Sequence, residues 1–229
     1  MKIQMLVYPG MTLLDLVGPL QTWARWPDGE LQFVWKTPGP VPTDAGLSVV
    51  ATTTFADAWP DPDILFAPGG LDGTFALITD NETIDFLASR GERAAWVTSV
   101  CTGAHLLGAA GLLKGYRAAT HWYLLDELAL FGATPSAERY VIDRNRATGG
   151  GVTAGIDFGL ALAAEILGEP HARAVQLGMQ YSPQPPFQSG TPAEAQPQTV
   201  TQVRERFQSN GRDQMLATAL TRAAARLSA

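Results

Sequence analysis

The 229-residue sequence predicts an α/β fold, a doubly wound, mostly parallel sheet sandwiched by helices, and three observations carry that reading. At 46% hydrophobic and 17% charged residues, the chain is long and apolar enough to bury the core of one large α/β domain. Apolar, β-branched runs recur that are nearly continuous rather than alternating, as strands covered on both faces require. Amphipathic stretches lie between them, as the crossover helices of parallel strands require.

The first strand is "IQMLVY" (3–8), and the amphipathic "LLDLVGPLQTWARW" (13–26) follows it. "LQFVWK" (31–36) and "DILFAPGG" (63–70) are the next strands. A helix over 80–91 has Asp80 as its N-cap, Thr83 and Asp85 in its first turn, and Gly91 as the C′ residue that accepts positive φ. "AAWVTSVC" (94–101) is a strand that runs straight into the helical "TGAHLLGAAGLL" (102–113). A short strand "AAT" (118–120) and a helix "YLLDELALFG" (123–132), closed by Gly132, come next. "YVIDRNRATGGG" (140–151) reads as a hairpin turning at Asp143–Asn145, ahead of the long helix "AGIDFGLALAAEILG" (154–168). "YSPQPPFQSGTPAEAQPQ" (181–198) holds too much proline for a regular element and reads as an extended arm over the surface. Helices over 199–208 and 211–227 end the chain. The whole reads as one domain, 1–229, with the arm 181–198 and C-terminal helices 199–229 as its last parts.

Charge and composition exclude several classes. A net charge of −6 and a pI near 5.0 leave nothing to neutralise a phosphate backbone, so neither nucleic acid nor an anionic membrane is an expected partner. "MKIQMLVYPG" has too short an apolar run for a signal segment, and no run of 18 apolar residues occurs, so a cytoplasmic protein is expected. One cysteine cannot form an internal disulfide. His105, His121 and His171 are scattered without ligand spacing, so no metal is expected.

That one cysteine, Cys101, stands where a strand turns into a helix. The position is that of a nucleophile elbow, where amides of the next helix face the side chain and favour the thiolate. Free cysteine is also a common packing residue, and the local sequence leaves both readings open. Two other strand ends converge on the same sheet edge, where open α/β sheets bind ligands. Gly69 and Gly70, in "FAPGGLDG", are either backbone donors for a bound group or an ordinary turn. Asp15, among Leu13, Leu14, Leu16 and Val17, is either a helix cap or a carboxyl kept protonated in a dry site. His105 lies one helical turn past Cys101 and faces away from the thiol, while His121 reads as a hydrogen-bonded structural residue.

"SVCTGAHLLGAAGLLKGYRAATHW" (99–122), "LLDLVGPLQ" (13–21), "PDILFAPGG" (62–70) and "TGGGVTAGIDFGLALAAEILG" (148–168) together resemble the ThiJ/PfpI superfamily over nearly the whole chain. Segments 35–41, 51–57 and 180–192 are similar to its isocyanide hydratase branch. The resemblance implies a flavodoxin-like, class I glutamine-amidotransferase-like sheet with its elbow at Cys101. Proteases of the superfamily carry a histidine after the nucleophile where this chain has Thr102, and the deglycase branch has a glutamate where this chain has Asp15.

The activity so implied is hydration of a small-molecule isocyanide to an N-substituted formamide. Cys101 would form a covalent thioimidate, with Asp15 as general acid and base. Thr102 would offer its amide and hydroxyl, and Gly70 and Gly69 their amides, as donors. No metal or organic cofactor is required, and a homodimer is implied. Two other readings stay open: a small-molecule-binding domain related to AraC-type regulators but lacking their DNA-binding half, and a cysteine-dependent carbonyl or redox stress protein. Only about 30 residues follow the arm, too few for paired helix-turn-helix units.

Overall fold

β1 (Lys2–Leu6) is an interior strand of a seven-stranded sheet in the computed structural model, which describes residues 1–227. It is followed by α1 (Leu13–Trp23), β2 (Glu30–Trp35), the hairpin β3 (Gly39–Pro42) and β4 (Ser48–Ala51), and β5 (Thr53–Thr54). The chain then forms β6 (Ile64–Ala67), α2 (Leu71–Leu77), α3 (Asn81–Gly91), β7 (Trp96–Val100) and α4 (Gly103–Ala109). β8 (Arg117–Ala118), β9 (Thr134–Pro135), β10 (Tyr140–Asp143) and β11 (Arg146–Gly149) come next, then α5 (Ala154–Leu167), α6 (Glu169–Gly178), α7 (Pro197–Gln208) and α8 (Arg212–Arg226).

The sheet order is β10-β11-β7-β6-β1-β2-β5, and every pairing is parallel except β10 with β11. This is the doubly wound, mostly parallel sheet the apolar runs predict. Ile3, Met5, Ile64, Leu65, Phe66 and Val97 are fully buried, because helices cover both faces. Gln4 is the exception on β1. Its Nε2 donates to Gln32 Oε1 (3.3 Å) and Trp59 O (3.2 Å), which pairs the nitrogen, while Oε1 has no hydrogen-bond partner among the described residues. The winding reverses between β1 and β6, and the ends of β1, β6 and β7 therefore open onto one crevice.

Several elements differ from expectation. The segment 118–120 does not join the main sheet: β8 pairs with β9 in a separate two-stranded ribbon. Its Ala119 N–H donates to the Thr148 hydroxyl (2.8 Å), a side-chain link to β11 rather than a ladder. The place beside β7 is taken by β11, the second strand of the predicted hairpin, whose turn at Arg144 has φ 55°. Residues 122–131 wind as two 3₁₀ turns, Trp122–Leu124 and Asp126–Phe131, rather than an α-helix. With three residues per turn, Leu128 and Phe131 eclipse one another and both are buried.

Asp80 does cap α3, its Oδ1 accepting Thr83 N–H at 2.9 Å, and Gly132 ends its turn at φ 73°. Gly91 is instead the last helical residue. It takes no positive φ, and it packs on the Leu112 side chain, which would have to move to admit a Cβ. The β3–β4 hairpin, α2 and α6 were not anticipated.

The arm over 181–196 is irregular, as its prolines require, and α7 and α8 follow. α8 buries Leu216, Leu220 and Ala223 on the core, and the Arg212 guanidinium grips both Asp72 oxygens (2.8 and 3.0 Å). The end of the expected segment 199–229, Ser228 and Ala229, lies outside the described residues. Among the described residues no helix is long and apolar enough to cross a membrane.

Candidate active site

Cys101 is the hinge between β7 and α4, with φ +57°. Such a left-handed backbone costs a side-chain-bearing residue about 1–2 kcal/mol, so its surroundings must impose it. They do so from both sides of the residue. Cys101 N–H donates to Gly149 O (3.0 Å) and Gly150 O (2.9 Å), and Cys101 O accepts the Thr120 hydroxyl (2.7 Å). Gly103 then lets α4 press onto the end of β6. A Cβ at this position would lie 2.1 Å from Ala67 O. The elbow read from the sequence is therefore present, and the thiol it presents is only 5% exposed.

Asp15 sits on the first turn of α1 and is fully buried. It is not the cap: Thr12 occupies that position, and the Leu13 N–H is accepted by Asp44 Oδ1 (3.0 Å). Its Oδ2 accepts the Gly69 N–H at 3.0 Å, while Oδ1 has no hydrogen-bond partner among the described residues. The proton of the neutral acid therefore belongs on Oδ1. Burial raises the carboxyl from its ordinary 3.8 to about 8; the Gly69 N–H and the Cys101 thiol pull it partly back, and Asp44 adds to the rise. Asp15 and Cys101 meet across Gly69, where a Cβ would fall 2.7 Å from Asp15 Oδ2 and 2.8 Å from Cys101 Cβ. Glycine at 69 is what lets acid and thiol face each other.

Burial also raises the Cys101 thiol, and an ionised Asp15 adds to that effect; the Thr102 and Val152 amides oppose it. The depressed thiol expected from the helix terminus is thus reversed, because desolvation outweighs two amides. A protonated Asp15 removes the repulsion, so the pair favours one neutral carboxyl beside the thiol.

Three donor assignments change. The amide of Gly69 is engaged by Asp15, and that of Gly70 by Thr102 Oγ1 (3.0 Å), so neither N–H is free for a developing anion. The Thr102 hydroxyl is turned away from the thiol, towards Gly70 and Thr74 Oγ1 (2.8 Å). Its amide does face the sulfur, as expected, and the second amide there is that of Val152. Val152 was missed; the signal for it was the glycine run 149–151 directly after a strand.

His105 faces away from the thiol. Its Nε2 lies 3.0 Å from Leu124 O, and a carbonyl only accepts, so Nε2 carries the proton and Nδ1 approaches Thr120 Oγ1 (3.5 Å). Burial lowers it to about 4. His121, also lowered to about 4 by burial, accepts the Tyr123 N–H on Nδ1 (3.3 Å). Both rings are neutral and neither is placed to activate sulfur. Among the described residues no group of three or more His, Cys, Asp or Glu is arranged to hold a metal ion.

Beside the elbow lies a cavity of about 530 Å³, which reaches the neighbours of Cys101 although Cys101 and Asp15 do not themselves line it. Gly150 and Val152, which touch Cys101, line it together with His121, Trp122, Leu125 and Gly190–Ala193 of the Pro-rich arm, and Glu138, Arg139 and Arg204 add charged groups to its wall.

A model of the DJ-1/PfpI family matches residues 1–165, which include β1, Asp15, the 68–70 loop and the elbow. The chain belongs to the DJ-1/PfpI family. Within it, the chain is 47% identical over 206 residues to the isonitrile hydratase of Pseudomonas putida, covering 90% of each. A ThiJ/PfpI family protein from Pseudomonas syringae has a crystal structure that superposes with a TM-score of 0.91 at 46% identity, covering 97% of this chain and 89% of that one. The HTH-type transcriptional regulator GbdR of Pseudomonas aeruginosa is 33% identical over 61% of this chain, which spans only 35% of the regulator. The residues 1–165 that match the family thus include the buried cysteine elbow and Asp15, which faces it across Gly69.

Proposed function

We propose that the protein hydrates isocyanides, R–N≡C, to N-substituted formamides, R–NH–CHO. The observation that carries this reading is the fully buried Asp15 carboxyl, with Oδ1 unpartnered, across Gly69 from Cys101, where burial raises it to about 8 and favours the acid form: a thiol alone adds to carbonyls, but an isocyanide carbon must also be protonated. Similarity to an isonitrile hydratase over 90% of the chain supports it. Trp122 and Leu125 give part of the cavity an apolar surface, which suits a group with little hydrogen-bonding capacity.

The Cys101 sulfur bonds to the terminal carbon as Asp15 delivers its proton to that carbon. The thiol proton returns to the carboxylate, leaving Cys–S–CH=N–R and a neutral acid. Water then adds to the thioimidate carbon, and one of its protons reaches nitrogen through Asp15. The C–S bond breaks with its electron pair returning to sulfur; the hydroxyl proton follows it through Asp15, and R–NH–CHO leaves. The Thr102 and Val152 amides hold negative charge on sulfur as the bond forms and breaks. No step passes through a metal or organic cofactor.

The test is formamide production from a simple alkyl or aryl isocyanide by the pure protein, with methylglyoxal as the competing substrate. Cys101→Ala is expected to lower turnover by on the order of 10³-fold or more, and quenched wild-type enzyme should carry an adduct heavier by one isocyanide. A Cys101→Ala protein that still makes formamide would remove the covalent step; consumption of methylglyoxal alone would replace the reading. The functional unit is proposed to be a homodimer, and a monomer by sedimentation equilibrium would remove that part alone.

A further inference from the structure

Three buried hydroxyls outside the thiol-carboxyl pair form a continuous row. Tyr8 Oη lies 2.9 Å from Pro68 O and 3.0 Å from Thr74 Oγ1; Thr74 Oγ1 lies 2.8 Å from Thr102 Oγ1; and Thr102 Oγ1 accepts the Gly70 N–H at 3.0 Å. Tyr8 and Thr74 are fully buried and Thr102 is 1% exposed.

Proton counting gives the row one direction. The Pro68 carbonyl can only accept, so Tyr8 donates to it. With the tyrosine proton used there, Thr74 must donate to Tyr8 Oη, and Thr102 must then donate to Thr74. Thr102 Oγ1 is left as the acceptor for Gly70 N–H. Aligned donors of this kind polarise one another, and every hydroxyl in the row is satisfied. The row also closes on itself: it starts at the amide of Gly70 and ends at the carbonyl of Pro68. The residue between them is Gly69, whose N–H holds Asp15. All three side chains are shut off from the surface, so the hydroxyls have only one another, Pro68 O and Gly70 N–H as partners here.

We infer that Tyr8 and Thr74 are positioning residues for the reaction: through Thr102 they clamp the 68–70 loop so that the Gly69 N–H stays on Asp15 Oδ2 and the Oδ1 proton stays free to be given. Tyr8 lies at the end of β1 and Thr74 on α2, so two elements without a group in the chemistry hold the loop from behind. The kinetic part of the inference rests on the hydratase reading; the loop geometry does not. Loosening the clamp lengthens the Gly69–Asp15 bond, which stabilises the carboxylate form, so Asp15 should hold its proton to higher pH.

Thr74→Val, Thr74→Ser and Tyr8→Phe test this, with kcat, KM and the pH dependence of Cys101 alkylation by iodoacetamide as readouts. Thr74→Val and Tyr8→Phe are expected to lower kcat by roughly 10- to 100-fold with KM within about threefold of wild type. The alkylation profile should move to lower pH by about half a unit or more, because a carboxyl that stays neutral no longer opposes the thiolate. Thr74→Ser, which keeps the hydroxyl, should restore both. Wild-type kcat and profile in Thr74→Val and Tyr8→Phe would overturn the inference, as would a Thr74→Ser variant as impaired as Thr74→Val, since packing alone would then be responsible. If wild type fails to hydrate isocyanides, the hydratase reading falls while the alkylation profiles still decide the clamp. Should Thr74→Val not fold, Tyr8→Phe gives the same readouts.

Discussion

Asp15→Asn is expected to be almost inactive and yet harder to unfold than wild type above neutral pH. The folded chain keeps the Asp15 proton up to about 8, whereas the same carboxyl titrates near 3.8 when free. Between those values the folded state binds more protons than the unfolded state, so this group makes stability fall as pH rises across the window. Below the window the penalty is absent; above about 8 it is complete. At pH 7 it amounts to about 4 kcal/mol, at about 1.4 kcal/mol per pH unit. Asparagine cannot ionise, so the penalty disappears. Its side-chain amide leaves a buried donor where Oδ1 was unpartnered, which costs about 1–3 kcal/mol. At pH 8 the penalty has grown to about 5 kcal/mol, so the net gain is about 2–4 kcal/mol, a rise in Tm of roughly 4–16 °C, and it should vanish or reverse at pH 4. Turnover should fall by about 10³-fold, within the range that loss of a general acid produces. Wild-type turnover should itself decline as pH rises through about 8, because the acid is then lost. Thermal melts at pH 4 and 8, together with initial rates, check all of this. A variant with near wild-type turnover ends the acid assignment, and one that melts lower than wild type at pH 8 ends the burial argument.

Gly103→Ala is the substitution expected to cost most stability at the elbow. Its Cβ would lie 2.1 Å from Ala67 O and 2.8 Å from both Ala67 C and Pro68 O, and all three atoms are backbone. Flexible side chains can yield to an added methyl; the end of β6 cannot move without disturbing its pairing with β1 and β7. A loss of about 3 kcal/mol or more is expected, or roughly 6–12 °C in Tm. The surviving folded fraction should also turn over slowly, since the same shift carries Thr102 off Gly70 and Thr74. Gly178→Ala is the control. No atom lies within 4 Å of the Cβ it would add on α6, so the protein should be as stable as wild type or slightly more so. Equal melting temperatures for the two variants would show that α4 does not press on β6 as described.

The elements legible from the chain were those written in local chemistry. Continuous apolar runs marked β1, β2, β6 and β7, Asp80 and Gly132 marked the ends of helical segments, and the prolines kept 181–196 irregular, although the expected arm ran to 198 and Pro197 instead opens α7, where a first-turn proline is tolerated. The elbow was legible for the same reason, since a strand, a turn and a helix follow one another around Cys101. The misplaced elements had weak local signals. "AAT" looks like a strand but pairs with β9 because β11 already fills the place beside β7. β11 owes that place to a register with Val97–Val100 that lies some 50 residues back along the chain.

At the site, sequence alone determined which residues stand at the crevice: Asp15 after β1, Gly69 and Gly70 after β6, and Cys101 and Thr102 after β7, since strand ends are set by strand order. Tertiary structure decided what each of them does. The Gly69 amide serves Asp15 and the Gly70 amide serves Thr102 across separations of 54 and 32 residues, and the thiol takes its second donor from Val152. A hydrogen bond needs two groups to meet in space, and no local pattern records a partner that far away. The charge state of Asp15 was left open as cap or acid for the same reason. Desolvation is a property of everything packed around a group, so only the folded chain could make a carboxyl on the first turn of α1 neutral at pH 7.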